Sequence, residues 1–85
     1  MAAPVRVMLI GRPGCHLCDV ARATVERVAT DLGVGWEERP VDSDPEWLQR
    51  WSDQVPVTLV DGRQHDYWRV DEARLRAALS VPPPS

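Results

Sequence analysis

The sequence lacks lysine, asparagine and phenylalanine, and it has only two cysteines. Two cysteines form at most one disulfide, which excludes a small domain held together by several disulfides. The net charge of -3 lacks the basic excess of a general nucleic-acid binder, so we expect no nucleic-acid partner. The longest apolar run, Val5 to Ile10, is six residues and includes Arg6. Because a helix needs ~20 apolar residues to cross a bilayer, we expect no membrane partner either.

The remaining composition is an ordinary globular balance of 44% hydrophobic and 27% charged residues. This is too apolar for a disordered chain. A length of 85 residues predicts a single domain over residues 1–85, with a thin core, and we expect a monomer. No basic region followed by an apolar run precedes Val5, so we expect no secretory signal and a cytoplasmic location.

The first half of the chain has three elements of predicted structure and the start of a fourth. A buried strand is predicted over Val5 to Ile10 and a helix over His16 to about Leu32. A polar edge strand follows over Trp36 to Val41. Ser43 and Glu46 match a capping box for a short helix that runs to about residue 51. The apolar face of the long helix is predicted to contain Ala21, Val25, Val28, Ala29 and Leu32.

The second half predicts a strand, a hairpin turn, a second strand and a last helix. The strands are Val57 to Val60 and Arg63 to Arg69, joined by Asp61-Gly62 as a type I′ turn. Asp71 is expected to cap a helix over Glu72 to about Ser80, after which residues 81–85 form a flexible tail. The order β-α-β-α-β-β-α predicts an α/β fold with a four-stranded mixed sheet and helices on both faces. The ordered core is expected over about residues 4–80.

Cys15 and Cys18 follow the first strand directly and begin the first helix. In a cytosolic protein that context indicates a thiol redox motif. At a helix N-terminus, unpaired backbone N–H groups and the helix dipole stabilise a thiolate. Residues three apart share a helical face, with Cα atoms ~5–6 Å apart, within reach of a disulfide. The turn at Pro13-Gly14 should expose Cys15 and leave Cys18 shielded, so Cys15 is the predicted attacking thiol and Cys18 the resolving thiol.

Two other interpretations of the cysteines remain open. Both could be small, inert core residues, although a position directly after a strand favours redox chemistry. They could instead bind zinc, but a closed zinc site takes four ligands, and His16 and His65 are the only histidines. Because His16 lies between the cysteines, it cannot easily point at the same metal. We therefore expect no metal site.

Val55-Pro56 is the second signal, because proline is unusual at the start of a central strand. A cis bond would make a tight bend and free the Val55 backbone to pair with an extended substrate. Since cis is the minority form, these residues alone favour a trans bond.

These motifs together resemble the thioredoxin fold, and most closely the short glutaredoxin-like proteins of bacteria. The resemblance lies in residues 11–19 around the cysteines, in residues 55–57, in the turn at 61–62 and in residues 71–75. It covers about residues 4–80. It implies a thioredoxin-like, glutaredoxin-type fold, thiol–disulfide exchange with Cys15 as nucleophile, and a cis bond before Pro56.

The resemblance also implies substrate-binding roles. Arg12 takes the place of a basic residue that helps hold the glutathione carboxylate, or it is a solvated turn arginine. His16 replaces the usual proline and could stabilise the thiolate when protonated, or do nothing. Glutaredoxins often have two glycines and then an aspartate that bind glutathione; here Arg69-Val70 replace the glycines, and Asp71 remains as a binding residue or only an N-cap. The first strand lacks the buried carboxylate that shuttles protons in true thioredoxins.

The sequence therefore predicts a thiol–disulfide oxidoreductase that forms a mixed disulfide at Cys15 and resolves it with Cys18. We expect no bound cofactor, an external thiol or reductase as electron donor, and a low-molecular-weight thiol or a protein disulfide as substrate. The alternatives are a non-enzymatic binding module, in which the Val55-Pro56 groove with Tyr67-Trp68 docks a partner, and a redox-sensitive switch.

Overall fold

The computed structural model describes residues 4–82, and its strands and helices follow the predicted order. The elements are β1 (Val5–Gly11), α1 (His16–Leu32), β2 (Gly35–Pro40), a 3₁₀ turn (Val41–Ser43), α2 (Pro45–Trp51), β3 (Val57–Val60), β4 (Arg63–Tyr67) and α3 (Glu72–Ser80).

The four strands form one mixed sheet in the order β2-β1-β3-β4. β1 pairs with β2 in parallel and with β3 antiparallel, where Val7 lies opposite Val60 and Ile10 opposite Val57. β3 and β4 form the antiparallel hairpin that the Asp61-Gly62 turn predicted. The fold class is confirmed, and the polar strand β2 lies at a sheet edge as expected.

Buried side chains form two clusters, one on each face of the sheet. The residues of β1 alternate between the faces, so Val7 belongs to one cluster and Ile10 to the other. The first cluster joins the sheet to α1 and α3 through Val25, Val28, Leu75 and Leu79. The second joins it to α2 through Val41, Val57 and Trp51. Helices therefore cover both faces, as predicted.

The predicted apolar face of α1 is correct except in its last turn. Ala21, Val25, Val28 and Ala29 are buried, but Leu32 is 39% exposed. Gly33 ends the helix with φ +68, and Val34 directly after it packs against the first cluster, whereas Leu32 does not.

The predicted capping box at α2 is wrong. Asp44 is the N-cap, and its Oδ1 accepts a hydrogen bond from the Glu46 amide at 2.8 Å. The Ser43 hydroxyl instead donates to the Pro40 carbonyl at 2.7 Å, because Ser43 belongs to the 3₁₀ turn before the helix.

β4 ends two residues earlier than predicted. Trp68 has φ +62, which departs from the extended backbone of a strand, and the strand stops at Tyr67. α3 begins after Asp71 as predicted. Val81 and Pro82 are not helical, and residues 83–85 of the predicted tail lie outside the described residues. Within residues 4–82, no helix is long and apolar enough to span a membrane.

Candidate functional site

Cys15 is the N-cap residue of α1. Its backbone is extended, with φ -100 and ψ 117, and its Sγ accepts a hydrogen bond from the Cys18 amide at 3.2 Å. The sulfur thus occupies the position of the Ser or Asp oxygen that usually caps a helix. Cys15 is half-buried and its thiol is free. This is the helix-terminal position that the strand-turn-helix pattern predicted.

Cys18 lies one turn further along α1 and is fully buried. Burial raises the pKa of its thiol to about 11, and the hydrogen bond and charge of Cys15 add to the effect. The two thiols therefore differ in the way that the sequence suggested: one reaches the surface and the other is shielded.

Gly11, the last residue of β1, allows Cys18 to approach the sheet. A Cβ added at Gly11 would lie 2.9 Å from the Cys18 Sγ and 3.8 Å from a carboxylate oxygen of Glu38. The sequence predicted only an edge strand here, yet β2 places the Glu38 carboxylate near the Cys18 thiol, and its charge adds to the raised pKa of that thiol. Arg22 holds this carboxylate with two hydrogen bonds, at 2.6 and 2.8 Å. No local pattern could have revealed this contact, since it depends on the β1–β2 pairing.

The peptide bond between Val55 and Pro56 is cis. The resemblance implied this, whereas the residues alone favoured trans, so that residue-based expectation is wrong. The Pro56 carbonyl accepts a hydrogen bond from the Trp68 amide at 2.7 Å. Among the described residues, neither the amide nor the carbonyl of Val55 has a hydrogen-bond partner, which leaves both available to an extended chain.

A groove of about 680 Å³ begins at Leu17, between the cysteines, and continues past Val55 to Asp71. Tyr67 and Trp68 form an aromatic side of it; they are 49% and 51% exposed and pack edge to face, with ring centroids 5.1 Å apart. The groove therefore brings together Val55 and Asp71, which are far apart in the sequence.

Arg12 and His16 do not line this groove. The Arg12 guanidinium donates to the Ser52 carbonyl after α2. His16 is exposed and lines a smaller cavity of about 360 Å³, which shares Leu17 and Trp68 with the groove. Of the five predicted binding residues, only Val55 and Asp71 line the groove.

The first turn of α3 is stabilised by two carboxylates. The Asp71 Oδ1 accepts from the Arg74 amide at 3.0 Å, so Asp71 is an N-cap. The Asp66 Oδ2 accepts from the Asp71 amide at 3.2 Å and from the Arg74 guanidinium at 3.3 Å. Asp66 was missed by sequence reasoning, because an isolated acidic residue on a predicted strand carries no signal.

His65 lies on β4 and is half-buried next to Asp66. Burial lowers the pKa of its imidazole, and the nearby Arg74 charge lowers it further. It lies outside the groove lining, and we assign it no role at the dithiol.

Residues 6–80 match the sequence profile of a family described as Glutaredoxin-like domain (DUF836). The chain belongs to this glutaredoxin-like family. An uncharacterized protein of Mycobacterium tuberculosis is 35% identical over 80 residues, which cover 88% of this chain and 82% of the relative.

Solved structures share the fold of this chain. A structural genomics target from X. campestris is 29% identical, with a TM-score of 0.70 over 89% of this chain and 99% of the target. Thioredoxin 1 from Thermosipho africanus is 13% identical, with a TM-score of 0.61 over 87% of this chain and 89% of the thioredoxin. The glutaredoxin-like chain therefore has the thioredoxin fold.

Proposed function

We propose that this glutaredoxin-like protein is a thiol–disulfide oxidoreductase that reduces disulfides through Cys15 and Cys18. The observation that supports this most is the position of the Cys15 sulfur. It caps α1 at a helix N-terminus and lies one turn from a second, buried thiol. A helix N-terminus stabilises a thiolate, and a thiolate is the nucleophile in disulfide exchange.

The reaction begins when the Cys15 thiolate attacks one sulfur of a substrate disulfide. A bond forms from Cys15 to that sulfur, and the other substrate sulfur leaves as a thiolate, which takes a proton from water. Cys18 then loses its proton to water and attacks the Cys15 sulfur, which breaks the bond from Cys15 to the substrate sulfur. The second substrate thiolate leaves, and Cys15 and Cys18 form a disulfide. An external thiol or reductase supplies the two electrons that restore the dithiol.

The environment of Cys18 sets the order of these steps. With a pKa of about 11, its thiol stays protonated at neutral pH in the reduced protein. Burial is the main cause, and the Cys15 hydrogen bond, the Cys15 charge and the Glu38 charge add to it. Once Cys15 is in a mixed disulfide, its charge is gone and that part of the shift is removed. Cys18 is thus proposed to become reactive only after substrate has bound covalently.

The other predicted residues are proposed to bind substrate. Val55 offers a backbone amide and carbonyl that have no hydrogen-bond partner within residues 4–82, at the groove, and Pro56 fixes the bend beside it. Asp71 lies at the far end of the groove. Arg12 and His16 are proposed to contact the substrate from the two sides of Cys15.

The test is a redox titration of the purified protein in thiol/disulfide buffers, read by alkylation and mass. A reversible two-electron midpoint between about -180 and -280 mV is expected. Cys15→Ser should abolish exchange, whereas Cys18→Ser should still attack and should retain a mixed disulfide at Cys15. An active Cys15→Ser variant, or a wild-type protein that stays reduced in every buffer, would refute the proposal.

A binding module is the second candidate function. It is favoured by the exposed group of Leu17, Tyr67 and Trp68, of which each is more than a third exposed. The same variants separate the two candidates. In a binding module, Cys15→Ser would leave partner binding unchanged, and exchange activity would be absent from the wild type.

A further inference from the structure

The groove that begins at Leu17 contains the two kinds of donor that usually bind a carboxylate. One is the backbone amide of Asp71, the N-cap residue of α3, where the helix dipole attracts anions. The other is the guanidinium of Arg74. In this structure both donate to the same acceptor, the Asp66 Oδ2, at 3.2 and 3.3 Å.

Asp66 is held in this place by the fold. It lies near the end of β4, and the left-handed residue Trp68 turns the chain so that α3 starts above Asp66. Its side chain is only 19% exposed, whereas that of Arg74 is 58% exposed. Asp66 is therefore a largely buried acceptor at the groove wall, already supplied with two donors.

A second carboxylate adds negative charge to this end of the groove. Asp71 also lines the groove, and its carboxylate accepts a hydrogen bond from the Arg74 amide. The remaining cation of the lining is Arg69, whose side chain is exposed and makes no hydrogen bond to the part of the chain that the structure describes. An incoming carboxylate would meet two carboxylates at this helix end and would have to displace Asp66 to reach its donors. Like charges repel, so the two carboxylates disfavour an anionic group at this end of the groove.

We propose that Asp66 determines substrate specificity by filling the carboxylate position of the groove. The protein then favours disulfides whose non-reacting part brings no carboxylate, and it disfavours anionic low-molecular-weight disulfides. This inference rests on the proposed function, since it concerns the substrate of the Cys15–Cys18 pair.

The test compares three small disulfides that differ in charge: bis(2-hydroxyethyl) disulfide, cystamine and glutathione disulfide. Each rate is divided by the rate of the same disulfide with a free dithiol, which removes intrinsic reactivity. Asp66→Asn keeps the size and an acceptor for the Asp71 amide but removes the charge. We expect it to raise the normalised ratio of glutathione disulfide to bis(2-hydroxyethyl) disulfide by about threefold to tenfold.

Glu26→Gln is the matched control, because it removes one negative charge from an exposed position. Along the axis of α1, residue 26 lies about 16 Å beyond Cys15. Its normalised ratio should equal that of the wild type. A second measurement needs no variant: salt should raise the wild-type ratio, since it screens the carboxylates against an anionic substrate.

The outcomes are distinct. A ratio that rises in Asp66→Asn but not in Glu26→Gln, together with the salt effect, supports the inference. An unchanged ratio in Asp66→Asn, an equal rise in the control, or a wild type that already prefers glutathione disulfide would overturn it. If the wild type reduced none of the three, the proposed function would fail, and this inference with it.

Discussion

The contact between Gly11 and Cys18 allows a quantitative test of how closely α1 packs against β1. In Gly11→Ala the new Cβ would lie 2.9 Å from the Cys18 Sγ and 3.3 Å from its Cβ. Non-bonded heavy atoms prefer roughly 3.5–4.0 Å, so one of the two residues must shift. There is little room for this, because Cys18 and Ile10, which precedes Gly11, are both fully buried.

The expected cost follows from two opposing effects. Overpacking of a core costs ~1–3 kcal/mol. Replacing glycine by alanine restricts the unfolded chain and offsets ~0.4–1 kcal/mol of this. We therefore expect Gly11→Ala to lower the free energy of unfolding by about 1–2 kcal/mol. For a domain of this size, the loss corresponds to a fall in Tm of about 4–15 °C.

The assay is urea denaturation under reducing conditions, carried out as a double-mutant cycle with Cys18→Ala. Removing the Cys18 sulfur removes the 2.9 Å contact, so Gly11→Ala should cost about 1 kcal/mol less in that background. Gly62→Ala is the control: Gly62 has φ +82 and no atom within 4 Å of its added Cβ, so its cost is backbone strain and should be equal in both backgrounds. Equal costs for Gly11→Ala in the two backgrounds would refute the packing argument.

Three further predictions concern stability. Asp61→Asn keeps a residue type that tolerates the left-handed turn but removes the anionic partner of Arg6 at 2.8 Å. We expect urea unfolding at pH 7 to show a free energy of unfolding that is lower than that of the wild type by about 1–2 kcal/mol. Arg6 lowers the pKa of Asp61, so this difference from wild type should shrink in acid as the wild-type carboxylate protonates, and a pH-independent difference would contradict it. Two arginines hold the pKa of Glu72 at about 2, below its ordinary 4.5. The stabilisation that the ionised Glu72 carboxylate gives to the fold is complete above pH 4.5 and is lost as the pH falls through about 2. The urea midpoints of Glu72→Gln and of the wild type should therefore converge over that range, and parallel curves would disprove the assignment. Asp71→Ala should cost ~1 kcal/mol through loss of the α3 cap, whereas Asp71→Asn should cost far less; equal losses in thermal unfolding would show that capping is not its role.

Much of the fold follows from local rules that act over a few residues. A strand, a turn and an amphipathic helix around Cys15 depend on spacing alone, and the helix ends at Gly33 because glycine adopts the left-handed conformation at low cost. The Asp61-Gly62 turn is equally local, since both residues have positive φ. These features could be predicted because nothing distant competes with them.

The features that sequence reasoning missed depend on contacts between distant segments. Trp68 adopts a left-handed conformation that a bulky residue rarely takes, and hydrogen bonds to Pro56 and Asp53 hold it there. That turn places Asp66 under α3. The closeness of Glu38 to Cys18 likewise requires the β1–β2 register. Neither arrangement has a local signature, so the groove's chemistry became visible only in the folded chain.

The disulfide proposed for Cys15 and Cys18 would link the redox potential of the pair to the conformational stability of the protein, through the Cys15 sulfur that caps α1. The hydrogen bond that this sulfur accepts from the Cys18 amide, at 3.2 Å, belongs to the reduced protein, and a disulfide would change that acceptor. By thermodynamic linkage, whatever free energy the reduced sulfur cap adds to folding would equally oppose oxidation of the folded pair. Each 1.4 kcal/mol of such stabilisation corresponds to about 30 mV for a two-electron couple. The first turn of α1 would thus contribute to the redox potential of the pair. The difference between the free energies of unfolding of the oxidised and reduced forms, taken from denaturation curves, would measure that contribution.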